Sequence, residues 1–582
     1  MNWHAYCVPF SGFPGTILKI YRQEKRAIEV NQFTERIKKL REVMAEKNID
    51  FYLIPTADDH SSEYVSDYYK VRNYFAGFTG SAGSLLIGRE MAGLWTDGRY
   101  YIQAERQLEG SCVSLFRMGS DGVPMITDYL KAHLPEGGTL AFDGQVIDRT
   151  QGQDYEKIVE AVHGRILWDK DMAGQFWEDR PERSCAPVFE LEEKYSGKSR
   201  KEKFAELRRF MDAKGGDRVL LASLEDIAWL TNLRGGDVTH TPVFLAFALI
   251  DRERAGLYVY ESAFSEEVRA HLMEDGVALK SYMDIYRDLE GLDGGCLLYD
   301  GTKVNYALAR SVSEKVQVLP VDINKMIPKS IKNETELQNL RDIHIKDGVA
   351  MTKFMYWLKT NIGKIDITEM SASDYLWELR KNIDTYLDLS FDTISAYREH
   401  GAMMHYRAVP ETDVALEPAD MLLVDSGGQY YEGTTDVTRT FILGPVSDEM
   451  KKHFTLVCKS MLNLANAKFL YGCSGYNLDI LARGPLWNLG IDYRCGTGHG
   501  VGYLLSVHEA PNGFRWKKVP ERNDSAILEA GNVTSDEPGV YMEGSYGIRT
   551  ENEIVCVRDE KNEYGQFMKF ETLTWVPIDL DG

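Results

Sequence analysis

Two stretches in the first half of the chain carry the same order of elements. Leu40 to Thr56 reads LREVMAEKNIDFYLIPT, and Leu207 to Ser223 reads LRRFMDAKGGDRVLLAS. In each, apolar residues at helical spacing lead through a polar turn into a short apolar run, the pattern of an amphipathic helix followed by a buried strand. Each continues into an aromatic-rich segment ending in a glycine turn, YFAGFTG (74–80) and WLTNLRG (229–235), and then into IGREMAGLW (87–95) and IDRERAGLY (250–258). Three matched blocks in one order predict a duplicated α/β domain; chance likeness of helix–strand units is the competing explanation.

Between the copies, residues 177–203 (WEDRPERSCAPVFELEEKYSGKSRKEK) are proline-bearing and dense in charge, and read as a linker. Near the end of the second copy Pro328 stops a strand-like run, and Asn333 or Thr335 can cap a long helix beyond it. The expected organisation is an N-terminal extension over 1–32, a first domain over 33–180, its repeat over 181–326 and a third domain over 327–582. A chain of 582 residues has room for three or four domains.

The net charge of −22 repels phosphate backbones and anionic lipid, which excludes nucleic acid and membrane as partners. The eight cysteines are scattered singly with no CxxC pair, as in a chain kept in a reducing cytoplasm. Pro9, Gly12, Pro14 and Gly15 break up the apolar residues of the N-terminus, so it does not read as a secretion signal. No segment approaches the roughly 20 apolar residues of a membrane helix.

The chemistry lies in the last third. In MLLVDSGGQYYEGTTDVTRTFIL, an apolar strand runs into Asp425 and a β-branched strand leaves through Asp436. A symmetric pivot between Tyr430 and Tyr431 would set the two aspartates opposite each other, with Cβ atoms about 5 Å apart. Buried like charges that close resist ionisation unless cations lie between them, and two divalent ions roughly 3.5–4 Å apart suit the gap. A second hairpin repeats the arrangement: VTSDEPGVYMEGSYGIRTENEIV carries Glu537 and Glu551 symmetrically about Gly544. Between the hairpins, CGTGHGVGYLLSVHEAP holds His499 in a glycine-rich strand, with His508 further on. GTGHGVG lacks the Lys-Ser/Thr of a phosphate loop and the downstream acidic partner of a dinucleotide site. Four carboxylates and one imidazole form an oxygen-dominated set that suits Mn²⁺ better than a thiolate-loving structural zinc, with Zn²⁺ or Co²⁺ as alternatives.

With SSEYVSDYY, GFTGSAG, WTDGRYYIQA, DRPER and EDIAWLTNLRGGDV, these catalytic blocks make the chain resemble the aminopeptidase P (Xaa-Pro aminopeptidase) family of pita-bread metallopeptidases, in its long three-domain form. The resemblance implies an α/β (α+β) architecture, with two duplicated N-terminal domains before a pita-bread catalytic domain. It implies Asp425 on one ion, His499 and Glu537 on the other, and Asp436 and Glu551 bridging both. It also implies substrate roles for His405, His508, Arg99 and Arg549, the last beside Glu551. The substrates it implies are peptides with proline at position two, and the assembly a homodimer. One departure stands out: family members of this form usually have a histidine at the position of Cys495, read here as a small buried filler in preference to a reactive thiol. His60, His240 and His344 are read as structural.

The expected mechanism is attack of a hydroxide bridging the two ions on the first peptide carbonyl. Glu537 would serve as base and proton shuttle, and His508 and His405 would hydrogen-bond the developing charge. Two rivals stay open: a different pita-bread peptidase (a prolidase cleaving only dipeptides, or a methionine aminopeptidase, against which the two pre-catalytic domains argue), and a non-catalytic peptide-binding relative of the same fold.

Overall fold

The computed structural model describes residues 32–518 and 524–582. The extension expected over 1–32 lies, except for its last residue, outside them. The duplication is evident in the two N-terminal sheets. In each, a central strand (Phe51–Pro55; Arg218–Leu221) lies antiparallel to a second (Ser84–Gly88; Ala246–Asp251) and parallel to a third (Thr139–Phe142; Cys296–Tyr299). The strand order across all six positions is the same in both sheets. Apolar runs such as FYLIP and RVLL form these strands because helices cover both faces, leaving no solvated side to demand alternation. Successive residues serve opposite cores: Tyr52 and Ile54 pack with Leu40 and Phe75, whereas Phe51 and Leu53 pack with Leu130 and Tyr155.

Each copy is closed in the same way. The acid after its central strand, Asp59 or Asp226, is 1% exposed and pairs with a cation on the chain leaving that copy. The partners are Arg183 at 3.1 Å and Lys329 at 3.0 Å. The segment read as a linker is therefore largely ordered. Its Phe189–Glu190 forms a short strand on Leu233–Arg234, and Arg200 to Lys203 already belong to the helix Arg200–Lys214. The strand-like run expected to stop at Pro328 is instead one helical turn, Ile323–Met326; the preceding strand, Gln317–Pro320, has already ended.

Of the two caps expected for the long helix, Asn333 does the work: its side chain accepts from the backbone N–H groups of Thr335 and Glu336, and Glu336 closes the capping box. The helix runs over Glu334–Asn361. Behind it a three-stranded sheet (Ile394–Tyr397, Met421–Ser426, Val437–Ile442) faces a six-stranded one that contains Gly498–Gly500, Glu509–Phe514, Val533–Asp536 and Asn552–Asn562. The second domain grips this third one. Arg234, 1% exposed, donates from Nε to the Leu504 carbonyl (2.5 Å) and from Nη2 to that of Tyr503 (3.0 Å), in the loop between His499 and His508.

Candidate metal centre

The first carboxylate hairpin is built two residues off the expected register, its pivot moved by one. Asp425 faces Thr438 rather than Asp436, and the same register continues outward through Gln429↔Thr434 and Tyr430↔Gly433. The turn therefore falls on Tyr431 and Glu432. The residue free to close it is Gly433, at φ +132°, and no glycine stands at 430. The two aspartates are thus diagonal rather than directly opposed. The second hairpin has the expected symmetry: Val533↔Val555, Asp536↔Asn552 and Gly539↔Arg549 share one register centred on Gly544 (φ +71°), which sets Glu537 against Glu551.

His499 meets both hairpins from the strand Gly498–Gly500. Its Nδ1 donates to the Gly500 carbonyl at 2.9 Å, which fixes the tautomer and leaves the Nε2 lone pair as a ligand. Nε2 lies 3.4 Å from Asp436 Oδ2 and 3.4 Å from Glu537 Oε1. One ligand atom each from Asp436, His499 and Glu551 falls within 4.8 Å of the others. The glycines around His499 are there for space: a methyl group on Gly498 would lie 1.8 Å from the Ser535 carbonyl oxygen, and one on Gly500 2.1 Å from that of Glu509.

Arg549 supplies positive charge from behind. The resemblance gave it a place beside Glu551 and a hand in substrate binding. The structure instead shows it 2% exposed, with its nitrogens occupied by protein: Nη2 on Asp425 Oδ2 (2.5 Å), Nε on Thr438 Oγ1 (3.1 Å) and Nη1 on Tyr541 Oη (2.8 Å). Thr438 Oγ1 in turn donates to Glu551 Oε2 at 2.7 Å, and Glu553 Oε1 accepts the Asp436 backbone N–H at 2.7 Å. Even so, negative charge is in excess. Burial, and then Asp425 and Glu537, hold the Asp436 carboxyl well above its usual range. Burial, and then Asp436 and Asp425, do the same to Glu551, and burial raises Glu537.

The first domain forms the other wall. Glu63 Oε2 lies 3.0 Å from His508 Nδ1, and the Tyr64 ring stacks on His508 at 5.8 Å between centroids. Arg99 grips Asp97 with two bonds (2.9 and 2.8 Å) and reaches Glu63 at 3.6 Å, while Tyr100 packs on His405 at 5.3 Å. Burial lowers His508 to about 4, with Glu63 pulling the other way, and burial with Arg99 holds His405 well below its ordinary value. Half-buried Cys495 packs against an apolar cluster that includes Tyr493 and Val540, and desolvation beside Glu537 pushes its thiol up to about 12. The structure thus adds Glu63, Tyr64, Asp97, Thr438 and Glu553 to the residues singled out by sequence. The only signal for the first two was the block SSEYVSDYY.

Residues 36–169 and 179–336 each match the creatinase/prolidase N-terminal domain, and residues 338–558 match metallopeptidase family M24. The probable Xaa-Pro aminopeptidase P of Sordaria macrospora is 37% identical over 563 residues, covering 94% of this chain and 91% of its own. That of Botryotinia fuckeliana is 37% identical over 95% of this chain and 86% of its own. Among solved structures, the X-prolyl aminopeptidase of Caenorhabditis elegans, described as a cytosolic enzyme with a di-nuclear active site, superposes with a TM-score of 0.89 at 31% identity, over 94% of this chain and 92% of its own. The Xaa-Pro dipeptidase of Bacillus anthracis shares the fold (TM-score 0.51, 23% identity) over 99% of its own length but 66% of this chain.

Proposed function

Because the chain belongs to the Xaa-Pro aminopeptidase P family of M24 metallopeptidases, with two creatinase/prolidase N-terminal domains, we propose that it releases the N-terminal residue from peptides with proline at position two. Family membership makes it a metallo-exopeptidase. The observation that carries the reading is the convergence of two carboxylate hairpins on His499 Nε2.

The site fits two divalent ions. Asp425 Oδ1 is buried without a hydrogen-bond donor, and the carboxylates around it repel one another unless cations intervene. Asp425, Asp436 and Glu551 would hold one ion, and His499, Glu537, Asp436 and Glu551 the other; the oxygen-rich set favours Mn²⁺. The chemistry such ions supply when bound is acidification of a water to near neutral pH and polarisation of a carbonyl. Arg549, through its bond to Asp425 Oδ2, keeps that carboxylate aimed. Glu537 takes the proton from the attacking water and passes it to the leaving proline nitrogen. Glu63 accepts from His508 Nδ1, so Nε2 faces the substrate as an acceptor when the ring is neutral and as a donor once it is protonated, with Glu63 stabilising the charge.

The same reading places the enzyme in the cytosol, in line with the free thiols of Cys112, Cys185 and Cys556 and with the absence, among the described residues, of any helix long and apolar enough to cross a membrane. It also makes the enzyme a homodimer. Tyr476, Ile480 and Trp487, 40–49% exposed, form one stripe along the helix Gly475–Trp487 on which a second copy would pack, so Ile480→Asp should sediment as a monomer. The deciding assay for function follows chelation and Mn²⁺ add-back on an Xaa-Pro-Xaa tripeptide beside an Xaa-Pro dipeptide. Metal-dependent release of the first residue from the tripeptide is expected. Cleavage of the dipeptide alone would make the enzyme a prolidase, and no cleavage with metal bound would make it a binding relative.

A further inference from the structure

The segment entering the catalytic domain carries two buried lysines. Lys329 pairs with Asp226 of the second domain at 3.0 Å. Lys332 donates to Glu509 Oε1, their side chains 1% and 4% exposed, and to the Lys329 carbonyl at 3.1 Å. The backbone that carries Lys332 is held as well. Its N–H donates to the Gly531 carbonyl (3.0 Å), Asn532 Nδ2 donates to the Ser330 carbonyl (3.0 Å), and a methyl group on Gly531 would lie 2.7 Å from the Lys332 carbonyl oxygen. Lys332 Nζ is therefore a fixed point rather than the end of a flexible chain.

Glu509 follows His508 directly and opens the strand Glu509–Phe514, where it pairs with Gly500, the neighbour of His499. The His508 ring turns to Glu63, while the Glu509 carboxylate turns to Lys332 at the domain boundary. A buried, charge-assisted bond is among the strongest tethers a side chain can make, and removing one partner strands the other charge. We infer that Lys332 is a positioning residue: through Glu509 it fixes the start of this strand and with it the seat of the His508 ring against Glu63. The inference rests on the assignment of His508 to the substrate.

The test is a double-mutant cycle in the full-length, Mn²⁺-loaded enzyme. Lys332→Met/Glu509→Met removes both buried charges together, and His508→Ala is the second arm. The expected result is an approximately tenfold fall in kcat, with KM and metal content within twofold of wild type, and less than a twofold further fall when the pair is replaced in the His508→Ala background. An equal fall in both backgrounds, or none, overturns the inference. Should the paired variant not fold, Glu509→Asp keeps both charges, shortens the tether by one methylene and is judged by the same cycle. ¹⁵N-histidine spectra add a readout that needs no turnover: the His508 Nδ1 signal should shift in Glu509→Asp, and an unmoved signal overturns the positioning role. Wild-type enzyme inactive on the tripeptide refutes the activity assignment, whereas active wild type with an insensitive His508 refutes the positioning alone.

Discussion

Glu63 Oε2 sits 3.0 Å from Nδ1 of His508, so a side chain of the first domain decides which nitrogen of this catalytic-domain ring is left free. Glu63→Gln keeps the shape, and can still accept through its amide oxygen, but removes the charge that stabilises a protonated ring. We expect kcat to fall about tenfold to a hundredfold with metal stoichiometry unchanged. His508→Ala should fall on the order of a hundredfold to a thousandfold, also without metal loss, whereas His499→Ala should lose metal. Steady-state kinetics and elemental analysis of the three variants side by side check this; metal loss in His508→Ala would show that the roles of the two histidines are confused.

Two glycines of the catalytic domain should respond in opposite ways. A methyl group on Gly498 meets the Ser535 carbonyl oxygen at 1.8 Å, so Gly498→Ala must push His499 away from Glu537 and abolish metal binding. A methyl group on Gly544 meets nothing within 4 Å but forces an L-residue to φ +71°. Gly544→Ala should therefore cost about 1–2 kcal/mol of stability and leave turnover near wild type. Urea unfolding and manganese titration distinguish the two; normal metal affinity in Gly498→Ala would contradict the packing described.

Metal binding should release protons. Burial raises the carboxyls of Asp436, Glu551 and Glu537, and neighbouring carboxylates raise the first two further, so the metal-free site gives up its protons less readily than free carboxyls do. Protons should leave as the site fills, fewer as pH rises and the carboxyls ionise unaided. Calorimetric titration of apo enzyme with Mn²⁺ in buffers of different ionisation enthalpy gives the count, and a heat independent of buffer would mean the site is already fully ionised.

How much of this was legible in the sequence depended on what held each residue in place. The five proposed ligands lie in short motifs whose spacing reports hairpin geometry, and the reading of Glu537 against Glu551 matched the register because Gly544 makes a simple turn. The reading of Asp425 against Asp436 slipped, because the deciding residue was the conformation of Gly433 and not the symmetry of the interval. Glu63, Arg234 and Glu553 were out of reach for a different reason. Each acts on a partner brought near only by tertiary packing: Glu63 on His508, Arg234 on the Tyr503 and Leu504 carbonyls, and Glu553 on the Asp436 N–H. No local pattern encodes such a contact. His60, read as structural, is indeed enclosed, between the Ala222 carbonyl (2.7 Å) and Tyr282 Oη (2.6 Å).

That enclosure has a pH signature. Burial lowers His60 to about 4 against an unfolded value near 6.5, although Asp59 pulls it up. Below pH 6.5 the unfolded chain takes up a proton that the folded one refuses. Stability is therefore lost as pH falls from about 6.5 to about 4, by roughly 3 kcal/mol, and no further below that. Asp58 and Asp59, raised by burial, act in the opposite direction, so the measurement is the difference from His60→Gln. The variant's denaturation midpoint should fall less steeply over this window. Parallel curves for the two proteins would place the acid sensitivity elsewhere.

The cations that close the two N-terminal copies also bear on where this protein can be cut. Arg183 lies beyond residue 169, where the first domain's family likeness stops, and beyond residue 180, where the sequence repeat would end it. A fragment trimmed to either limit keeps Asp59 and discards its counter-ion, so it must solvate a carboxylate that the intact chain buries. The smallest autonomous piece is therefore longer than the repeat. Ancestral duplication copied a sheet and its helices, and what makes each copy self-sufficient is borrowed from the stretch of chain that joins it to the next.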